Sequence, residues 1–195
     1  MKENWSDQDH PVAQFNLGVI YHEGKLVTRD IKAAMHYYSL AAVQNYSQAQ
    51  FNLGLMYHEG QNIPFDINKA IYYYLLAAKQ NDQRAQFKIA FIYHEGIYVK
   101  QNIIKAIYYY SLAANQNHSA AQFNLGLIYY HGENIPRNIK KGLYYMMISS
   151  ENGNKEANFS HAFLLHEGRY VKKDIIEAIH YYKESSSLNN QYAKK

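Results

Sequence analysis

A six-residue pattern recurs along this chain at a constant interval. The sequence Ala-Gln-Phe-Asn-Leu-Gly begins at Ala13 and returns at Ala49 and Ala121, and variants of it begin at Ala85 and Ala157. The interval is 36 residues each time, so five repeats follow one another without an insertion. A constant period of this length predicts an array of stacked helical or strand units in which each repeat contacts mainly its neighbours.

The repeats occupy nearly all of the 195 residues in the sequence. We expect a lead-in over residues 1–12, a single solenoid over 13–192 and a tail over 193–195. The five repeats run over residues 13–48, 49–84, 85–120, 121–156 and 157–192.

The first half of each repeat has the apolar spacing of a short helix, named helix A. In the first repeat, Ala13, Leu17, Ile20 and Tyr21 fall on one side of such a helix and are expected to point into the packing. A glycine that follows in every repeat is the usual stop signal, because it accepts a left-handed conformation. These glycines are Gly24, Gly60, Gly96, Gly132 and Gly168.

The second half of each repeat predicts a second helix, named helix B. It is expected to begin at an Asp or Asn that caps the first turn: Asp30, Asp66, Asn102, Asn138 and Asp174. It is expected to end at a residue that tolerates the left-handed conformation: Asn45, Asn81, Asn117, Gly153 and Asn189. Stacked helical hairpins predict an all-α fold, an α/α superhelical solenoid of five 36-residue helix-turn-helix repeats.

Tyrosines recur within helix B. Tyr37, Tyr73, Tyr109, Tyr145 and Tyr181 occupy one position of it. We expect this row to supply large packing area, with hydroxyl groups that need a partner at the edge of the core.

The second repeat combines small, aromatic and capping residues in a fixed order: Ala49, Leu53, Gly54, Tyr57, Gly60, Asp66, Lys69, Ala70, Tyr73, Ala77 and Ala78. This order resembles the Sel1-like repeat, a relative of the tetratricopeptide repeat. The resemblance covers residues 13–192. It implies a right-handed superhelix of ten helices that acts as a non-catalytic scaffold or adaptor. Some bacterial members resemble immunity proteins that neutralise a toxin.

The chain departs from the family pattern in the loop between the two helices. The family usually has a second glycine where this chain has Leu26, Asn62, Tyr98, Asn134 and Tyr170. Asn holds a left-handed conformation readily, whereas Leu and Tyr do so poorly.

The resemblance also places helix A on the concave face of the solenoid, where we expect a partner protein or peptide to bind. A side of helix A distinct from the packing side carries three rows of residues. The polar row is Asn16, Asn52, Lys88, Asn124 and Ser160. The apolar row is Val19, Leu55, Phe91, Leu127 and Phe163. The acidic row is Glu23, Glu59, Glu95, His131 and Glu167.

Each row has a chemical use in binding a polypeptide. Amides can pair with a peptide backbone, apolar residues can form anchor pockets, and carboxylates favour basic side chains. The alternative is that the polar residues only solvate the helix, while the apolar row packs between neighbours. Helix B offers a rival surface, for which packing is the favoured interpretation: His36, Tyr72, Tyr108, Tyr144 and His180.

Several functional classes are disfavoured by the sequence. The chain has no P-loop, nucleophile elbow or dinucleotide fingerprint, so we predict no enzyme activity and no cofactor. The net charge of +4 is scattered, which disfavours nucleic acid as a partner. His-Glu-Gly recurs at His22, His58, His94 and His166, but it lacks the spacing of a zinc-binding helix, so we predict no metal.

Membrane insertion is not expected, because the apolar runs are too short for a spanning helix. The acidic start lacks a signal peptide, so we expect a cytoplasmic protein unless a longer precursor is exported. Structural alternatives to partner binding are a spacer or a self-associating segment. His161, Glu184 and Ser185-Ser186 make the fifth repeat more polar, as in a cap, and Trp5 could cover the first repeat or mediate association.

Overall fold

The computed structural model describes residues 10–60 and 62–186. Trp5 and Asn189 therefore lie outside the described residues. Within them, the chain forms ten α-helices and no strand. The helices are α1 (Pro11–Glu23), α2 (Ile31–Val43), α3 (Ser47–Glu59), α4 (Ile67–Lys79), α5 (Gln83–Glu95), α6 (Ile103–Ala114), α7 (Ser119–His131), α8 (Ile139–Glu151), α9 (Lys155–Glu167) and α10 (Ile175–Ser186). Odd-numbered helices are helix A of each repeat, and even-numbered helices are helix B.

The predicted helix boundaries are confirmed by the backbone. At the start of α2, the backbone nitrogen of Ala33 donates to Asp30 Oδ1 at 2.9 Å, and the other four predicted caps accept an equivalent bond. The glycines after the odd helices are left-handed, as Gly24 shows with a φ of 68°. After the even helices, Asn45, Asn81 and Asn117 each have a φ of 62°.

The loop position that carries a second glycine in the family adopts two conformations. Asn62 and Asn134 are left-handed, with φ values of 63° and 53°. Tyr170 is left-handed as well, with a φ of 68°, although tyrosine lacks the short polar side chain that makes this conformation favourable for Asn. Leu26 and Tyr98 keep a negative φ. The loop geometry therefore differs between repeats, and because Tyr98 and Tyr170 differ from each other, the residue type at this position does not determine it.

The helices form two compact units that divide within α5. Unit 1 contains residues up to 92 together with 97–99, and unit 2 contains residues 93–96 and those from 100 onward. The core of unit 1 lies where α2 packs on α3. Ala34, Tyr38 and Ala41 of α2 meet Leu53 and Met56 of α3, all of them buried. Alanines at this junction let the two helix backbones approach closely.

Unit 2 repeats this arrangement where α6 packs on α7 and α8 packs on α9. Tyr110, Leu125 and Ile128 are fully buried, and Met146 takes the place of the tyrosine in the fourth repeat. No helix within residues 10–60 and 62–186 is long and apolar enough to cross a bilayer.

Helices α7 and α8 approach each other unusually closely at one point. A Cβ atom on Gly142 would lie only 2.7 Å from the backbone nitrogen of Tyr130, which is too short for a real contact. The other repeats pair an alanine with a histidine at these two positions, as Ala106 and His94 do. The glycine therefore accommodates the approach of the α7 backbone in the fourth repeat.

The tyrosines of helix B occupy three positions, and two of these rows take part in packing with different roles. The predicted row packs by stacking: Tyr37, Tyr73 and Tyr145 each lie nearly parallel to a helix A tyrosine, as in the 4° angle between Tyr37 and Tyr21. The fully buried tyrosines are the next residues along the chain, Tyr38, Tyr74 and Tyr110. Burial raises the pKa of the hydroxyl in each of these three residues.

Candidate partner-binding site

The fifteen residues predicted to face a partner are all at least partly accessible. The acidic row is exposed throughout, from Glu23 to Glu167. In the apolar row, Phe91 and Phe163 keep 40% and 50% of their surface exposed, whereas Val19 is half-buried against the core of unit 1. The polar row is half-buried except for Asn16. This side of the odd helices is therefore open within each unit, although its rows differ in depth.

The polar row has an internal role that the sequence interpretation missed. Asn124 Nδ2 donates a hydrogen bond of 3.0 Å to the hydroxyl of the buried Tyr110. In unit 1, a hydrogen bond from Asn52 counteracts the effect of burial on the pKa of Tyr38. The asparagines therefore satisfy tyrosine hydroxyls of the preceding helix B, and this use competes with pairing to a bound peptide.

The recurring histidines lie against the same tyrosines. In unit 2, the ring of His94 meets that of Tyr110 edge-on, with centroids 5.9 Å apart. Its Nε2 atom lies 2.9 Å from Glu133 Oε2, and its Nδ1 atom lies 3.5 Å from the Tyr110 hydroxyl. The result is a polar cluster at the end of α5. Within the part of the chain that the structure describes, no three His, Asp or Glu side chains converge as metal ligands would.

A pocket of about 220 Å³ opens between α7 and α9 in unit 2. Four residues of the predicted rows line it: Leu127, His131, Ser160 and Phe163. Tyr130, Met146, Phe159 and Leu164 complete the wall. Phe159 and Phe163 expose 56% and 50% of their surface, so the wall is apolar and accessible. Here the structure brings residues of all three predicted rows around one cavity.

The rival surface on helix B is more exposed than the packing interpretation requires. Tyr72, Tyr108 and Tyr144 expose 57%, 59% and 54% of their surface. Each meets the tyrosine that follows it edge-on, but the outer side of the ring stays in solvent. In unit 1, Tyr72 lines a pocket of about 290 Å³ together with Val43 and Leu76.

Buried glutamines join neighbouring repeats, which the sequence interpretation also missed. Gln50 is 1% exposed and donates from Nε2 to the carbonyl oxygen of Ala42 in the preceding repeat at 3.1 Å. Its Oε1 atom accepts from Gln80 Nε2 at 2.7 Å. Gln86 and Gln122 donate in the same way to Ala78 and Ala114.

The signal for these glutamines was present in the recurring pattern itself. A glutamine stands second in the pattern in four repeats and is buried in each of them, and only the fifth repeat differs, with Asn158. There Asn158 Oδ1 accepts from the Ser150 hydroxyl at 2.6 Å instead. A polar residue repeated on the buried side of a helix indicates a hydrogen bond inside the core.

Solved structures similar to this chain come from several bacteria. A Sel1 repeat protein from Oxalobacter formigenes is 32% identical, with a TM-score of 0.87 over 95% of this chain and 76% of that chain. A protective antigen with an SLR fold from uropathogenic Escherichia coli, c5321, is 28% identical, with a TM-score of 0.85 over 95% of this chain and 40% of that chain. The immunity protein Pa5087 from Pseudomonas aeruginosa shares the fold at 23% identity, with a TM-score of 0.60 over 94% of this chain and 70% of that chain.

No curated protein sequence matches the chain significantly. A sequence profile of the Sel1 repeat matches it five times, over residues 11–46, 47–82, 83–118, 119–154 and 155–190. The ten helices and these five matches show an all-α helical solenoid of helix-turn-helix repeats. The chain belongs to the Sel1 repeat family.

Proposed function

We propose that this chain is a protein-interaction module, and that unit 2 holds an apolar side chain of its partner in the pocket between α7 and α9. Sel1 repeat proteins generally mediate protein–protein interactions, and their fold is generally a non-catalytic scaffold. The observation that carries the proposal is the pocket itself, because four residues predicted to face a partner line it.

The wall of the pocket suits an aliphatic or aromatic anchor. Leu127, Phe159 and Phe163 offer apolar surface that water covers in the free protein. Burying one leucine or phenylalanine of a partner there would contribute about 1.5–3 kcal/mol. Contacts of this kind dominate the affinity of many interfaces, while the surrounding polar residues exclude water.

Carboxylates flank the anchor position along α9. Glu156, Ser160, Phe163 and Glu167 are spaced so that they share one side of this helix, with a carboxylate at each end. Glu156 also lines an open pocket of about 450 Å³ beside Phe159 and Lys155. A partner segment with Lys or Arg on either side of an apolar anchor would complement this charge pattern, mainly through association rate and specificity.

Unit 1 carries a similar pair of an apolar and an acidic residue on the predicted side of helix A. Leu55 and Glu59 there lie four residues apart on α3, as Phe163 and Glu167 do on α9. We therefore propose that the exposed side of α1 and α3 also contacts a partner. A toxin neutralised by an immunity-type protein is one class of partner that this site could take, and a spacer function would leave the site empty.

A peptide-display selection against the 195-residue chain tests the proposal. We expect enriched peptides to carry Leu, Phe or Trp flanked by Lys or Arg. Phe163→Ala should weaken their binding about tenfold or more, the equivalent of at least 1.4 kcal/mol. Tyr144→Ala is the matched control, because Tyr144 is an aromatic residue of the same unit with nearly the same exposure, 54% against 50%.

Calorimetric titration with the selected peptides gives the readout, after circular dichroism shows equal helicity of the variants. Glu167→Lys should weaken the peptides with basic flanks more than those with neutral flanks. Equal loss of binding in the Tyr144 and Phe163 variants would contradict the proposal, because the effect would not be specific to the pocket. Binding that survives Phe163→Ala unchanged would contradict the pocket as the anchor site.

A further inference from the structure

We infer that the outer face of α10 is a docking surface for α1 of a second copy of this chain, so that copies join end to end in the register of the internal repeats. The inference does not depend on the pocket between α7 and α9. It rests on side chains that are covered in the inner repeats and uncovered at the two ends.

The first end is α10, which leaves apolar side chains in solvent. Ile175 and Ile179 expose 43% and 48% of their surface. Every equivalent residue in the four preceding repeats is half-buried or buried: Ile31, Ile67, Ile103 and Ile139 for the first, and Met35, Ile71, Ile107 and Leu143 for the second. A following repeat stands against these inner residues, so α10 shows the surface that such a repeat would cover.

Exposure elsewhere on α10 shows that this difference is specific to one face. Ile176 is 84% exposed, but its equivalents Lys32, Asn68, Ile104 and Lys140 are exposed as well. This position therefore faces solvent in all five repeats, with or without a neighbour. On α10, the apolar surface that is uncovered here but covered in the inner repeats is confined to the side of Ile175 and Ile179.

The second end is α1, which is uncovered on the opposite face. Leu17 is 37% exposed, whereas Leu53, Ile89 and Leu125 at the same position are fully buried. Ile20 is half-buried, whereas Ile128 at the same position is fully buried. A preceding repeat covers the inner residues, so α1 shows the surface that such a repeat would contact.

The junction between α2 and α3 shows how the two ends would fit. Ala34, Tyr38 and Ala41 pack there against Ala49, Leu53 and Met56. The corresponding residues are Ala178, Tyr182 and Ser185 on α10, and Ala13, Leu17 and Ile20 on α1. The two ends therefore carry nearly the same residues as an established junction of this fold.

Serine in place of alanine is compatible with such a junction. Ser149 of α8, which is equivalent to Ser185, is fully buried although α9 packs on α8, and its hydroxyl donates to the carbonyl oxygen of Ser119 in α7 at 2.7 Å. Ser185 is therefore compatible with a buried position in such a junction. Because the two contacting surfaces differ, each added copy presents a new open end, and assemblies should grow with concentration.

Sedimentation velocity of the 195-residue chain over a wide concentration range tests the inference. We expect the average mass to rise above the 22.8 kDa of one copy as the concentration increases. Ile179→Lys on α10 and Leu17→Lys on α1 should each give a protein that stays monomeric. Ile176→Lys is the matched control, since it places the same charge on α10 outside the proposed surface, and it should associate like the wild type.

A mixture of the two monomeric variants is the decisive sample. The Ile179→Lys protein keeps an intact α1 face and the Leu17→Lys protein keeps an intact α10 face, so equal amounts should form a dimer of one copy each and nothing larger. Circular dichroism of both variants establishes that they are folded. A wild type that is monomeric throughout, a control that also dissociates, or a mixture that stays monomeric would each overturn the inference.

Discussion

The Asn124 amide donates to the hydroxyl of Tyr110 at 3.0 Å, which joins α7 to the tyrosine that fills the core of the preceding repeat. Asn124 belongs to the row predicted to face a partner, and Tyr110 is fully buried. Asn124 therefore stabilises the packing between two repeats and also lies at the edge of the candidate binding surface.

Tyr110→Phe should destabilise the protein by about 1 kcal/mol, because it removes an acceptor from a partly buried amide. Urea denaturation of this variant, of Asn124→Ala and of the double variant gives the coupling between the two residues. We expect the double variant to lose less than the sum of the single losses. Tyr108→Phe, at a position that is 59% exposed, should change the stability little. Additive losses would show that the bond does not contribute.

His161→Leu should stabilise the protein. The other repeats have Leu or Ile at this position, and Leu53, Ile89 and Leu125 are fully buried there. The Nδ1 atom of His161 is buried without a hydrogen-bond partner among the described residues. Removing such an atom should recover about 1–3 kcal/mol, measured by thermal denaturation at neutral pH. A lower melting temperature would contradict this prediction.

The same substitution should reduce the loss of stability in mild acid. Burial lowers the pKa of His161 below its usual value, while Glu177 and Glu151 act in the opposite direction. The unfolded chain therefore takes up a proton first as the pH falls below about 6.5. The contribution of the neutral ring is complete above that pH and is lost as the pH falls through the folded pKa. We expect a shallower decline below pH 6.5 in the leucine variant than in the wild type, whereas parallel curves would contradict the assignment.

Gly142→Ala should destabilise the fourth repeat, although alanine is the better helix former. The added Cβ atom would lie 2.7 Å from the backbone nitrogen of Tyr130, so α7 and α8 must move apart. We expect a net loss of about 1 kcal/mol or more in urea, since overpacking outweighs the gain in helix propensity. Lys140→Ala, at an exposed position of the same helix, should have little effect. Equal stability of Gly142→Ala and the wild type would show that the helices separate freely.

Asp66→Asn should change how α4 responds to strong acid. The backbone N–H of Lys69 lowers the pKa of Asp66 most, so its ionised form caps the helix better than its protonated form. This advantage is complete above about pH 4 and is lost as the pH falls through the lower folded value. Asparagine keeps the cap without titrating, as Asn102 and Asn138 do in other repeats. On acidification, the melting temperature of the wild type should therefore fall more than that of Asp66→Asn. A difference between the two proteins that does not change with pH would contradict the prediction.

Local features of the fold were predictable from the sequence because they recur and have one physical cause each. Asp30 could be assigned as a cap, and Gly24 as a left-handed stop, from the residue types that these roles require. The exposure of Phe163 followed from its spacing relative to the buried residues of helix A. Five copies of each signal reduced the ambiguity that a single short helix would leave.

Other features depend on contacts between repeats, which spacing within one repeat does not contain. The partner of Asn124 is a tyrosine of the preceding repeat, so the amide looked like a free surface group. The pocket between α7 and α9 depends on how widely two helices stand apart, and on Phe159, which lay outside the predicted rows. Gly142 could be interpreted only after the backbone of α7 was known to approach it.

The bonds of Gln50, Gln86 and Gln122 bear on how such an array can change length during evolution. Each donates to a carbonyl oxygen eight residues earlier in the chain. Duplication or loss of 36 residues recreates that pairing at the new seam wherever the cut is made within these repeats. Insertion of a single residue between donor and acceptor would instead leave a buried amide unpaired. A rearrangement that preserves the 36-residue period therefore keeps this buried hydrogen bond, and one that breaks the period loses it, which favours repeats of equal length whatever their exposed residues.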